Sequence, residues 1–315
     1  MTRGRANSLE PAVKEATTSV RPNRLKRTCT WLVLTFALSW TMAFGYFALG
    51  GKPLSLSWLL MGVFCMFTPA LSTLATELLF KSDGALERLG ISFRPNWWFA
   101  AGLLAPALLA LISTGVSLVQ RGVFLTAKIQ ESNFLIYFPL QRLPPMPAVH
   151  PFWMVLIAGT FAGLTVNGVV AFGEELGWRG FLPSEWKALG FWRSSWLIGA
   201  IWGLWHLPAV LHGWNYPGHP FDGILMMIIW TTLFSPVIGY VRLRSRSVLA
   251  AALMHGALNG TAIAPQLVLR GGDSLTTGMM GWPGMAVLAL LNLGVLWLNR
   301  TAQAHPLDLA PTQTL

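Results

Sequence analysis

The sequence predicts an all-α protein: a polytopic bundle of about eight transmembrane helices with both termini cytoplasmic. Three observations carry that prediction. Charge is scarce: 11% of the 315 residues are Asp, Glu, Lys or Arg and 54% are hydrophobic, whereas soluble domains carry about a quarter charged residues. Apolar residues gather in runs at or near the roughly 20 residues that cross a hydrocarbon core, and the mean hydropathy is +0.54. The basic residues behind the net charge of +10 sit in short clusters between those runs. These features exclude an ordinary soluble enzyme and a disordered chain. A pI near 10.3 suggests nucleic acid at first sight, but the placement of the basic residues fits a membrane topology signal, so no nucleic-acid partner is expected. Cys29 and Cys65 make neither a disulfide framework nor a CxxC metal site.

Residues 1–27 are polar, with seven Lys or Arg against Glu10 and Glu15. They read as a disordered, basic cytoplasmic tail; the following apolar run is too long for a signal-peptide core. Eight spans follow, at 30–49, 54–80, 97–119, 155–183, 194–212, 223–241, 248–264 and 282–299. Helices are the only sensible choice, because barrel strands would be half as long and would alternate. Pro69, Pro106, Pro208 and Pro236 lie inside spans and are expected to kink them. With the N-terminus inside, seventeen Lys and Arg fall on the inner side and five on the outer, the positive-inside pattern. The longest loop, 120–150, is expected outside, with Phe134–Leu140 resting in the interface as a short helix. In regional terms the chain divides into the tail at 1–27, N-terminal helices and outer loop at 28–150, a core at 151–264, and a last helix and tail at 265–315.

The 12 acidic residues localise a site, because few can be spared for lipid. Most fall in the tail, loops or span ends. Glu77 is expected to snorkel or to pair with Lys81 four residues on. Glu174 and Glu175 follow the apolar run Phe152–Gly173, and an ionisable group inside a span usually faces a functional cavity. Glu175 and Arg179 share a helix face and can pair. Glu174 points about 100° away and has no basic residue four positions off. The competing reading ends the span at Gly173 and makes both acids interfacial. Two more polar positions speak against it: His206, which shares a face with Trp202, and His255, which shares a face with Asn259. At 1.5 Å per residue, Glu174, His206 and His255 all fall roughly 12–15 Å below the inner surface.

A carboxylate and an imidazole around one water suit hydrolysis. The acid takes a proton from water, and His shares it or returns it to the leaving amine. A second His and an amide can donate to the oxyanion. Alternatively Glu174, His206 and His255 hold Zn²⁺ with an open water position. Spacing alone does not separate the two chemistries.

Glu174-Glu175-x-x-x-Arg179, the aromatic-x-x-x-His at Trp202–His206, and His255-x-x-x-Asn259 together resemble the three motifs of the CPBP family. That family comprises CAAX proteases and bacteriocin-processing enzymes, also called the Abi family or type II CAAX prenyl endopeptidases. The resemblance covers roughly 155–264, with the motifs in order on successive spans. It implies an intramembrane endopeptidase with a cavity open to the cytoplasm. Glu174 would activate water with His206, His255 and Asn259 would stabilise the oxyanion, and Glu175, Arg179 and Trp202 would support the site. Trp202 departs from the family, which usually has Phe there.

The family carries both metallo and glutamate labels; the metal-free mechanism, needing no cofactor, is the expectation, and Zn²⁺ is the alternative. The resemblance implies the lipid bilayer and a membrane-associated peptide or protein substrate as partners, lipidated substrates among them, and a multi-pass place in the cell membrane. Two other classes compete: a non-catalytic scaffold or immunity protein on the same fold, and a proton-coupled transporter, which usually shows an inverted repeat. No such repeat is present here.

Overall fold

The computed structural model describes residues 9–53, 55–81, 83–126 and 150–301. The interfacial segment expected at Phe134–Leu140 lies outside them. The chain is mostly helical: α1 (Leu9–Ala48), α2 (Leu56–Leu79), a short α3 (Ala85–Leu89), α4 (Trp97–Ser117), α5 (Pro151–Leu164), α6 (Val166–Glu175), a π-helix (Leu176–Phe181), a single turn α7 (Leu182–Glu185), α8 (Gly190–Trp205), a short α9 (Leu207–Leu211), α10 (Pro220–Ser245), α11 (Val248–Thr261), a short α12 (Ala264–Val268) and α13 (Trp282–Thr301). Two-residue strands β1 (Phe124–Leu125) and β2 (Leu269–Arg270) pair antiparallel.

Among the described residues, five helical stretches are long and apolar enough to cross a membrane, and six if the bent pair α5 with α6–α7 is one span. That pair bends by 59°, at Thr165. The outward faces of α2, α4 and α13 expose large apolar side chains such as Phe64, Leu74, Leu108, Ile112, Leu290 and Trp297. A water-facing protein would not present apolar surface on this scale. The protein is therefore a membrane protein.

Two expectations need correction. Helix α1 starts at Leu9, so it runs back through much of the tail expected to be disordered. Extending an existing helix costs far less than starting one, and the apolar run supplies the nucleus. Glu77 does not pair with Lys81. Helix α2 has ended by Leu79, and Lys81 sits at a positive φ of 46°, so the shared helix face is gone. Buried Glu77 instead accepts from Arg27 at 2.8 Å and Arg88 at 2.6 Å, and Arg27 also reaches Glu185 at 2.9 Å. This network ties α1, α2, α3 and α7 together at one end of the bundle.

At the opposite end the connections after α4, α9 and α12 meet. Gln120 donates to the carbonyl of Thr276, Tyr216 to that of Met280, and Trp230 to that of Met279. These are the segments that hydropathy placed together on one side. The expected proline break also appears: α8 stops at Trp205, and Pro208 stands in the first turn of α9.

Helix α11 is the central element, packed against α4, α5, α6 and α10. Its approach to α5 and α6 is close because glycines face glycines. A Cβ on Gly260 would stand 2.5 Å from Gly159 Cα, and one on Gly256 would stand 2.6 Å from Gly168 N. Small residues let helix backbones touch where lipid supplies no hydrophobic drive. The register that results places His255 opposite the end of α6.

Candidate active site

Helix α6 delivers Glu174 and Glu175 as its last two residues, and both are buried, at 2% and 0% exposure. They point to different partners. Glu174 Oε2 accepts from the indole Nε1 of Trp202 at 2.7 Å. Glu175 Oε1 accepts from Arg179 Nη1 at 3.1 Å and from His255 Nδ1 at 2.8 Å. The turn between Glu175 and Arg179 belongs to the π-helix, a wider winding that recurs at functional sites. The guanidinium of Arg179 lies over the Trp202 ring, 4.3 Å from its centroid. His255 meets the same ring edge-on, with centroids 5.3 Å apart. Trp202 is thus the hub: α6, the π-helix, α8 and α11 all present a functional group to it.

His206 stands where α8 breaks. Its Nδ1 is 2.8 Å from the carbonyl of Trp202. A carbonyl only accepts, so Nδ1 carries the proton and Nε2 is left as a base. His255 is fixed in the same way, with Nδ1 toward a carboxylate and Nε2 on the opposite side of the ring. The ring of His206 lies against those of Trp202 and Trp205.

The structure therefore brings together Glu174, Glu175, Arg179, Trp202, His206 and His255. It does not bring Asn259 into this cluster: that side chain is exposed, one turn beyond buried His255. Two contacts were not legible in the sequence. Trp202 was expected only to support the site, yet its N–H holds Glu174. A buried indole N–H usually finds an acceptor, which is the signal that could have revealed it. Asn167, at the start of α6, donates to the carbonyl of Gly256 at 3.3 Å and pins α11 beside the site. A lone Asn in an apolar run was the available clue.

The donor set was compared with the needs of a metal. Among the described residues no group of three or more His, Cys, Asp or Glu is placed to hold a metal ion. In this arrangement Glu175 is occupied by Arg179 and His255, and one oxygen of Glu174 is occupied by Trp202.

No curated protein matches the chain. Residues 148–261 match the sequence model of a family described as type II CAAX prenyl endopeptidase Rce1-like. The matched segment contains every residue of the cluster. From the order of its motifs and from this match, the chain carries an Rce1-like domain over residues 148–261, a domain of the type II CAAX prenyl endopeptidase family.

Proposed function

We propose that the protein is an intramembrane endopeptidase that cleaves a peptide bond of a membrane-associated protein or peptide through a water activated by Glu174, without a metal. The observation that carries this reading is the pair of adjacent buried carboxylates with separate tasks. Glu175 is committed through Oε1 to Arg179 and His255, its buried Oε2 making no hydrogen bond among the described residues. Glu174 has no salt bridge among the described residues and is held only by Trp202, through Oε2.

In the reaction, Glu174 takes a proton from water and the water oxygen adds to the scissile carbonyl carbon. The carbonyl oxygen becomes an oxyanion, and His255 donates to it through Nε2 when both ring nitrogens carry protons. Asn259, one turn along α11, adds a second donor as the substrate closes on the helix. The intermediate collapses, the C–N bond breaks, and the proton held by Glu174 passes to the leaving amine with His206 as relay. Arg179 and Glu175 keep the His255 ring in place. In this reading the reaction uses no cofactor.

Eight spans with both termini cytoplasmic complete the proposal. With the bent pair counted as one span there are six long stretches, and α8 with α9 and α13 supply the other two. Seventeen of the 22 basic residues fall on the inner side in that arrangement. The cell membrane and a lipidated substrate belong to the same proposal.

A cleavage assay on purified protein with prenylated and unprenylated peptides tests it. Glu174→Gln, His206→Ala and His255→Ala should each lose turnover while melting near wild type. Turnover that survives all three ends the catalytic reading, and a phenotype that survives Glu174→Gln in cells points to a scaffold.

A further inference from the structure

Helix α1 lies outside the matched segment 148–261, yet two of its residues grip the place where α8 breaks. The break frees a backbone carbonyl. Pro208 has no N–H to continue the ladder, and the N–H of Ala209 turns to the carbonyl of His206 at 3.0 Å. The carbonyl of Trp205, one residue before His206, is thereby released from the helix. It accepts from the indole Nε1 of Trp40 on α1 at 3.1 Å. The contact is returned, since Trp205 Nε1 donates to the Ser39 hydroxyl at 2.7 Å. That hydroxyl is itself fixed, because it donates to the carbonyl of Thr35 at 2.7 Å. Ser39 and Trp205 are buried, so water does not stand in for this second bond. Each helix thus donates one indole N–H to the other at a single residue. The Trp205 ring then meets His206 edge-on, with centroids 4.9 Å apart.

We propose that Ser39 and Trp40 are positioning residues for catalysis: they hold the Trp205–His206 junction, and through it the imidazole that relays the proton to the leaving amine; this rests on the protease reading above. The bond from His206 Nδ1 to the carbonyl of Trp202 sets the ring relative to its own helix. It does not set the ring relative to Glu174, which stands on α6. The Trp202 indole ties α8 to Glu174 one turn earlier. Beyond that tie the ladder is interrupted, and the end of α8 needs a second hold to keep the imidazole at a constant distance from the carboxylate. The two bonds from α1 stand at that end. Further along, Trp31 of α1 meets Trp178 of the π-helix edge-on at 5.0 Å, and Trp178 meets Trp205 edge-on at 6.1 Å. Helix α1 therefore touches both the π-helix that carries Arg179 and the junction that carries His206. A displacement of about 1 Å in a positioned reaction can cost a hundredfold in rate.

The test uses the full-length protein in nanodiscs and the prenylated peptide, made once with an amide and once with a thioester at the bond that wild type cuts. A leaving amine has to take a proton, whereas a thiol, with an ordinary pKa of about 8.5, departs as thiolate without one. Ser39→Ala and Trp40→Phe should each lower kcat for the amide by about tenfold, keep KM within about twofold, and lower kcat for the thioester by less than about twofold. In His206→Ala protein the same substitutions should cost nothing further. Ring-nitrogen NMR on isotopically labelled histidine, with the His206 signal identified by its loss in His206→Ala, should show that signal shifted in both variants. Amide and thioester rates that fall together overturn the proposal, as does wild-type amide turnover in both variants. An equal further loss in His206→Ala protein, or a His206 signal that stays in place, also overturns it. Failure of the protease reading has a different signature, since cleavage would then be insensitive to Glu174→Gln while the ring signal still reports whether α1 holds His206.

Discussion

Removing the indole N–H of Trp202 should expose how strongly this site depends on one interhelical hydrogen bond. Trp202→Phe keeps a ring beneath Arg179 but deletes the donor that reaches Glu174 at 2.7 Å. Both residues are at most 2% exposed, so water cannot replace the donor. Neutral interhelical bonds in membranes average about 0.6 kcal/mol and reach about 1.7, while bonds to charged groups are worth about 1.5–3 kcal/mol. The expected loss from the bond alone is therefore about 1–2 kcal/mol, to which the space left by the smaller ring adds a further penalty. A double-mutant cycle with Glu174→Met separates the two. Met is similar in length and apolar, so it orphans the indole N–H; in the double variant neither partner is left unpaired. The coupling energy should be about 1–2 kcal/mol, with the double variant little worse than the weaker single variant. Equilibrium unfolding in mixed micelles, followed by circular dichroism, measures it. Additivity within about 0.5 kcal/mol would show that the two side chains do not interact and would remove Trp202 from its place as hub.

Three further outcomes are expected. Arg27→Ala leaves Glu185 buried without its cation and weakens Glu77, so it should cost about 3 kcal/mol or more in unfolding, with partial recovery in Arg27→Lys; a loss below about 1 kcal/mol would contradict a buried network. Gly260→Leu should lower the melting temperature and abolish cleavage together, because its side chain must enter the backbone of Gly159; wild-type melting would refute the close approach. Burial works against the charge of Asp273, but donation from the Thr276 hydroxyl, from the backbone N–H of Thr276 and Leu275, and nearby His219 outweigh it and hold its carboxyl below the usual aspartate range. A depressed value means that the turn is supported at neutral pH and loses that support only as pH falls through the folded-state pKa. Amide protection at Leu275 and Thr276 should hold to about pH 4 and fall below it, the ordinary aspartate value being about 3.9; loss that begins well above pH 4 would contradict this reading.

Much of the site was legible because charge is scarce in this chain. Glu174, Glu175, His206 and His255 stand out in apolar runs, and the four-residue spacings of Glu175 with Arg179 and Trp202 with His206 correspond to contacts in the structure. The same helical logic failed for Glu77 and Lys81, where the helix ended first, and it linked His255 with an Asn259 that lies outside the buried cluster. Nothing in one dimension announced the π-helix, since its residues are compatible with ordinary helix and its winding comes from the packing around it.

The sequence by itself determined the solvent and the secondary structure: too few charges for water, and runs of apolar residues long enough that only helices satisfy their backbone in lipid. It also determined which polar residues had to be explained. Only the tertiary structure decided their partners. Whether Trp202 meets Glu174, whether His255 binds Glu175, and whether Trp40 reaches the carbonyl of Trp205 depends on how α1, α6, α8 and α11 are set against one another. That setting follows from close packing of glycine faces and from helix ends, which are three-dimensional constraints that a periodic pattern does not contain.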